Sequence, residues 1–184
     1  MLIALATSLV EEKKCDASAI ANSYVQFYSS GGNGYAKNIS EIFDLLKEKE
    51  LSYRQSGRHE YSTGSWGNGC VVRVAPIGLV FKSCDSDIIL RRAVWASCMC
   101  THVNDEAVEA AFIQAKAIAM LVESVSNVFN VNSFLQALIN AVNKDKTKQL
   151  HGLLCTVQTA LQEQWSDEKL LDSVITPSFH GTHF

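Results

Sequence analysis

The stretch Gly64-Ser65-Trp66-Gly67-Asn68-Gly69-Cys70-Val71-Val72-Arg73-Val74-Ala75-Pro76 decides how this chain is read. Gly64, Gly67 and Gly69 supply almost no apolar surface and lose backbone entropy on folding, so packing does not explain them. They do permit left-handed backbone angles and let main-chain N–H groups approach an anion or a sugar closely. Immediately downstream, Val71, Val74, Ile77 and Gly78 recur at helical spacing, which predicts that the loop opens a helix. Thr101-His102-Val103-Asn104 ends the next apolar segment and offers a polar partner. Together these residues read as a phosphate- or ribose-binding loop; the alternative is a surface turn, where Gly-Asn-Gly clusters are common. The stretch is neither a Gly-x-Gly-x-x-Gly after a buried strand nor a P-loop, because it lacks the terminal Lys-Ser/Thr.

Outward from this element, almost everything has helical period, and the fold class expected is all-α. Leu2, Leu5, Leu9 and Val10 form one apolar stripe, and Asp16 can cap a segment carrying Ile20, Tyr24, Phe27 and Tyr28. Ser29-Ser30-Gly31-Gly32-Asn33-Gly34 interrupts it, either as a helix-to-helix turn or as a second ligand loop. Ile39, Ile42, Phe43 and Leu46 mark a third helix. The polar connection from Ser52 to Thr63 has no period and leads straight into Gly64. Tyr61 and Trp66 are the nearest aromatics; the Trp66 ring is either a flat wall for a base or ribose or folded back on its neighbouring helix.

A helix expected from Asp85 to Thr101 ends in His102, where a lone histidine serves as a helix-end partner or a ligand group. Asn104 or Asp105 can cap a long helix with Val108, Ala111, Ala115, Ile118 and Val122 as its buried stripe, its many alanines pointing to close helix contacts. Asp105, Glu106 and Glu109 suit the dipole at its start. Asn130 or Asn132 opens a further helix, Leu150 to Leu161 gives another, and a short one starts at Ser166-Asp167-Glu168. Residues 1–175 read as a single compact multi-helix domain and 176–184 as an irregular tail.

A chain of 184 residues is long enough for a domain with a substantial core. Its net charge of -3 and the lack of clustered Lys and Arg argue against nucleic acid. No apolar run approaches a membrane span, and Leu2 to Val10 is followed by Glu11-Glu12-Lys13-Lys14 rather than preceded by positive charge, unlike a signal peptide. An intracellular, cytoplasmic protein is the default expectation. Its six cysteines sit at no zinc spacing and suit reduced thiols. Cys98-x-Cys100-x-His102 converges on a metal only if the helix has already ended, because helical residues two apart point in different directions.

Ser65-Trp66-Gly67-Asn68-Gly69, then Val72-Arg73-Val74-Ala75-Pro76-Ile77-Gly78-Leu79, then Thr101-His102, resembles the middle of the ADP-ribosylglycohydrolase family. Gly34-Tyr35 is similar to that family's Gly-Tyr-Gly element, and the opening Met1 to Leu9 to the helix after its Asp-Asp-Thr. The resemblance covers roughly residues 1 to 125. It departs where the family carries an upstream Gly-Asp and Asp-Asp-Thr and a downstream Gly-Gly-Asp-Thr-Asp-Thr, whose side chains hold paired magnesium ions.

On this resemblance the chain is an ADP-ribosylglycohydrolase-like domain, truncated at both ends and without the family's magnesium ligands, catalytic acid or catalytic base. The resemblance implies a hydrolase that removes ADP-ribose from modified protein side chains or ADP-ribose esters, with ADP-ribose or an ADP-ribosylated protein as partner. Gly64, Ser65, Trp66, Gly67, Asn68 and Gly69 are then expected to meet diphosphate and ribose through main-chain N–H groups, with His102 beside them. The alternatives are an inactive ADP-ribose binder and a structural, crystallin-like protein.

Overall fold

A computed structural model of the chain describes residues 1–84, 86–124 and 129–174. Among these the regular structure is helical: ten α-helices and one 3-10 turn. The chain divides into two compact units, Met1–Ser124 and Val125–Phe184. The tail expected at 176–184, and Asp85 as a helix start, lie outside the described residues.

The first unit holds α1 (Leu2–Glu12), α2 (Ala17–Ser29), α3 (Lys37–Lys47), the turn Ser56–Arg58, α4 (Gly69–Arg73), α5 (Ala75–Val80), α6 (Asp87–Cys98) and α7 (Asp105–Glu123). Local chemistry sets several starts. The Asp16 carboxylate accepts from the N–H groups of Ser18 and Ala19, and the Asn104 side chain accepts from Glu106 and Ala107. Each removes N–H groups that a helix start would otherwise leave without partners. Between α4 and α5, Pro76 falls in the first turn of the second helix, where its missing N–H costs nothing.

Helix α7 is the packing centre of this unit, with α4, α5 and α6 laid against it; α1 pairs with α2, and α2 also meets α3 and α6. Its buried stripe is Ala107, Ala111, Ala115 and Ala119, joined by Phe112 and Ile113. The expected stripe is thus rotated: Ala111 and Ala115 are in it, whereas Val122 is 45% exposed. The reason is side-chain size, since alanines admit the close approach of α5 that valines would prevent. Helix α1 shows a similar shift. Ala4, Leu5, Ser8 and Leu9 are buried while Leu2 and Val10 face out.

The Gly-rich break after α2 is a helix-to-helix turn, with Gly31 and Gly34 at φ 96° and 79°. Tyr35, just beyond it, sets its ring edge-on against Tyr28 and Phe43. That aromatic cluster fixes α3 on α2.

The second unit is built from α8 (Val131–Ala141), α9 (Lys148–Gln162) and α10 (Asp167–Val174). Asn130 caps α8 by accepting from Ser133 N–H, α8 packs along α9, and α10 returns against α9. Among the described residues no helix is long and apolar enough to cross a membrane.

Candidate ligand-binding site

The loop before α4 is anchored at its first residue. Gly64 has φ 83°, and a β-carbon there would fall 2.5 Å from Asn104 N and 2.7 Å from Val103 Cγ2. Only glycine meets both the backbone angle and the contact. From that anchor the chain runs over His102: a β-carbon on Gly67 would be 3.3 Å from His102 Nε2, and one on Gly69 would be 3.0 Å from Cε1. The residues singled out from sequence therefore do come together. The helix they open is short, ending at Arg73.

The main chain of the loop is unevenly satisfied. Gly64 N–H donates to Tyr61 O and Gly67 N–H to Ser65 Oγ. Among the described residues the N–H groups of Ser65, Trp66, Asn68 and Gly69 find no acceptor in the chain. Clustered free N–H groups are the donors that an anion or sugar hydroxyl requires. The Asn68 side chain makes no capping bond, and Trp66 is 58% exposed rather than folded onto a helix.

His102 is held from the other side. Helix α6 ends at Cys98, and the N–H groups of Thr101 and His102 both turn back to Cys98 O, which places the ring under the loop. The helix is thus shorter than expected, and the last residues before His102 form a tight turn. His102 Nδ1 lies 2.8 Å from Thr101 Oγ1. The ring is 2% exposed, and burial, reinforced by the nearby Arg73 charge, pushes its pKa down to about 3. It is neutral at physiological pH.

Arg73 is the group that sequence reading passed over. Its guanidinium is 1% exposed and donates to Thr101 Oγ1 (2.6 Å), Ser97 O (3.0 Å) and Gly69 O (3.2 Å), with the Tyr24 ring 4.9 Å from its carbon centre. Among the described residues its Nε has no partner. The sequence carries only the weak signal that a cation inside the apolar run Val71-Val72-Arg73-Val74 needs polar partners wherever that run turns inward, and Val72 in the same run faces out. One side chain thus ties the end of the loop, the end of α6 and the hydroxyl beneath His102.

Three thiols surround this cation. Cys70, Cys98 and Cys100 are buried, and all six cysteines of the chain are free. Burial pushes Cys100 up to about 11, while the Cys98 thiol is drawn down by a hydrogen bond from Cys70 and by Arg73.

Magnesium takes hard oxygen donors, chiefly carboxylates. Asp105 and Glu106 stand at the start of α7, three and four residues after His102, and the Glu109 carboxylate makes a two-point pair with Arg91. Among the described residues no three His, Cys, Asp or Glu side chains gather to hold a metal.

Comparison with known proteins gives this geometry its context. The chain is 28% identical over 130 residues to the mouse protein named ADP-ribosylhydrolase ARH3, and 27% identical over 130 residues to the human protein of the same name. Each match covers 69% of this chain but only 34% and 35% of those proteins, so the chain spans about a third of the curated relatives it matches. The model of the family described as ADP-ribosylglycohydrolase matches residues 1–180, nearly the whole chain. With that match running over nearly all of it, this chain, helical throughout its described regular structure, belongs to the ADP-ribosylglycohydrolase family.

Proposed function

We propose that this chain recognises ADP-ribose through the Gly64–Gly69 loop and His102, as part of an ADP-ribosylhydrolase-type protein acting on ADP-ribosylated protein or ADP-ribose esters. The observation that carries the reading is the set of free N–H groups on Ser65, Trp66, Asn68 and Gly69 above a neutral, buried imidazole. A diphosphate takes main-chain donors, a ribose takes hydrogen bonds to its hydroxyls, and the exposed Trp66 ring offers a flat face to a base. Family membership and the names of the relatives support the same ligand class. The reading concerns binding; magnesium and bond cleavage belong to it only as expectations for a member of the family.

Calorimetric titration of the 184-residue chain with ADP-ribose, in magnesium and in chelator, tests it. Saturable binding that survives chelation, and that His102→Ala weakens at least about tenfold, is expected from the loss of one buried hydrogen-bonding group. Absence of binding under both conditions overturns the proposal. Binding only in magnesium would show that the ion is part of recognition and that donors beyond those described here supply it.

A further inference from the structure

The hydrogen-bond chain from Arg73 to His102 constrains where the imidazole carries its proton. A guanidinium can only donate, so the Thr101 oxygen must accept from Arg73 Nη2 at 2.6 Å. The hydroxyl then has one proton to place and two acceptors in reach, Cys98 O at 3.3 Å and His102 Nδ1 at 2.8 Å. The second distance is normal for a hydroxyl donor, whereas the first is long. Polarisation by the cation makes the hydroxyl a better donor and a poorer acceptor, which again favours donation to Nδ1.

We propose that Arg73, acting through the Thr101 hydroxyl, fixes His102 in the tautomer with its proton on Nε2, so that the ring presents an N–H beneath the Gly67–Gly69 backbone. Arg73 and Thr101 are positioning residues in this arrangement. His102 Nε2 makes no hydrogen bond to any described residue, and it sits 3.3 Å from where either Gly67 or Gly69 would bear a β-carbon. The ring edge and the loop N–H groups then all donate. The ligand atom received there is an acceptor with spare lone pairs, a phosphate or sugar oxygen, and a group with only N–H to offer is rejected. This last consequence rests on the ADP-ribose reading; the position of the proton does not.

Nitrogen-15 NMR of the ligand-free chain at neutral pH tests the tautomer directly, with the His102 ring assigned by its loss in His102→Asn. The expected pattern is a protonated Nε2, a bare Nδ1 and a slowly exchanging Thr101 hydroxyl proton coupled to Nδ1. A proton on Nδ1, or averaging between the two tautomers, overturns the proposal. Thr101→Ser is expected to keep the pattern and Thr101→Val to lose it. A folded Thr101→Val chain with the wild-type pattern also overturns it, and if that variant does not fold, the wild-type and Thr101→Ser spectra decide. ADP-ribose affinity is expected to fall about five- to tenfold in Thr101→Val and to stay within about twofold in Thr101→Ser. Failure of the wild-type chain to bind ADP-ribose, with Nε2 protonated, supports the relay and overturns the functional reading alone.

Discussion

The carbonyl oxygen of Ala115 lies 2.5 Å from the point where Gly78 would carry a β-carbon, so α5 and α7 meet backbone against side-chain-free backbone. Ile118 Cβ closes the same spot at 2.9 Å. Gly78→Ala must push the helices apart, because a carbonyl cannot rotate away as a flexible side chain would. The expected loss is about 1–3 kcal/mol, read as a lower midpoint in urea unfolding; an unchanged midpoint would contradict the packing described.

Gly64 and Gly34 share a left-handed backbone but differ in surroundings, φ 83° with Asn104 N at 2.5 Å against φ 79° with nothing within 4 Å. Alanine at Gly34 should cost about 1 kcal/mol, the price of the backbone angle alone. Alanine at Gly64 should cost clearly more and displace the loop, lowering ADP-ribose affinity as well. Equal unfolding midpoints for the two variants would refute the role given to the Asn104 contact.

Arg73→Met removes the donor to Thr101, Ser97 and Gly69 together. The buried Thr101 Oγ1 and the part-buried Gly69 O lose this donor, and Ser97 O is left with Tyr24 Oη alone, which outweighs the gain from removing a desolvated cation, for a net loss of about 2–4 kcal/mol. Arg73→Lys should recover little, since an ammonium cannot reproduce the fork that spans these acceptors. Thermal unfolding decides it: a methionine variant as stable as the parent would mean that the buried cation contributes nothing.

The His102 ring gives stability a slope with pH. Its folded pKa is pushed down to about 3 from an ordinary 6.5, so between those values the unfolded chain binds a proton that the folded chain refuses. The contribution is complete above pH 6.5 and is lost as pH falls toward 3. Each unit of that window is worth about 1.4 kcal/mol, and the total is on the order of a few kcal/mol. Urea midpoints measured from neutral to acid pH should fall more steeply in the parent than in His102→Gln; parallel curves would show that the ring titrates alike in both states.

Glu109 is 7% exposed and grips Arg91 with both oxygens, while the Arg91 guanidinium lies 3.7 Å from the Phe112 ring centre. Glu109→Gln keeps the shape but loses the charge, and a loss of about 1–3 kcal/mol is expected. Because the carboxylate is buried, the difference between parent and variant should change little with added salt. Strong salt dependence would place the pair at the surface.

Much of this arrangement was legible in sequence because its signals are local. Asp16, Asn104 and Asn130 cap helices where their positions predict, and Gly64, Gly67 and Gly69 lie against the 102–104 segment as the paired motifs implied. What was not legible depends on which helix neighbours which. The valines and alanines of α7 have the same period, and only the approach of α5 decides that Ala107, Ala111, Ala115 and Ala119 turn inward. Glu109 looks like an ordinary first-turn acid until α6 brings Arg91 to it. Arg73 has no sequence neighbour that reveals its role, because its acceptors on Ser97 and Thr101 arrive from α6 and the turn after it.

The polar connection ahead of the site is pinned at two places and exposed between them. Ser56 Oγ donates to Cys100 O at 2.7 Å, Gly57 fits against Met99 O, and Gly64 is fixed by Asn104, while residues 58–63 are all exposed. Insertion between the two pins lengthens a closed loop, whose entropic cost rises by only about 0.6 kcal/mol per doubling. Residues 58–63 are therefore where a rim of different length or chemistry can be grafted beside the site without moving the histidine or the glycines that form its floor.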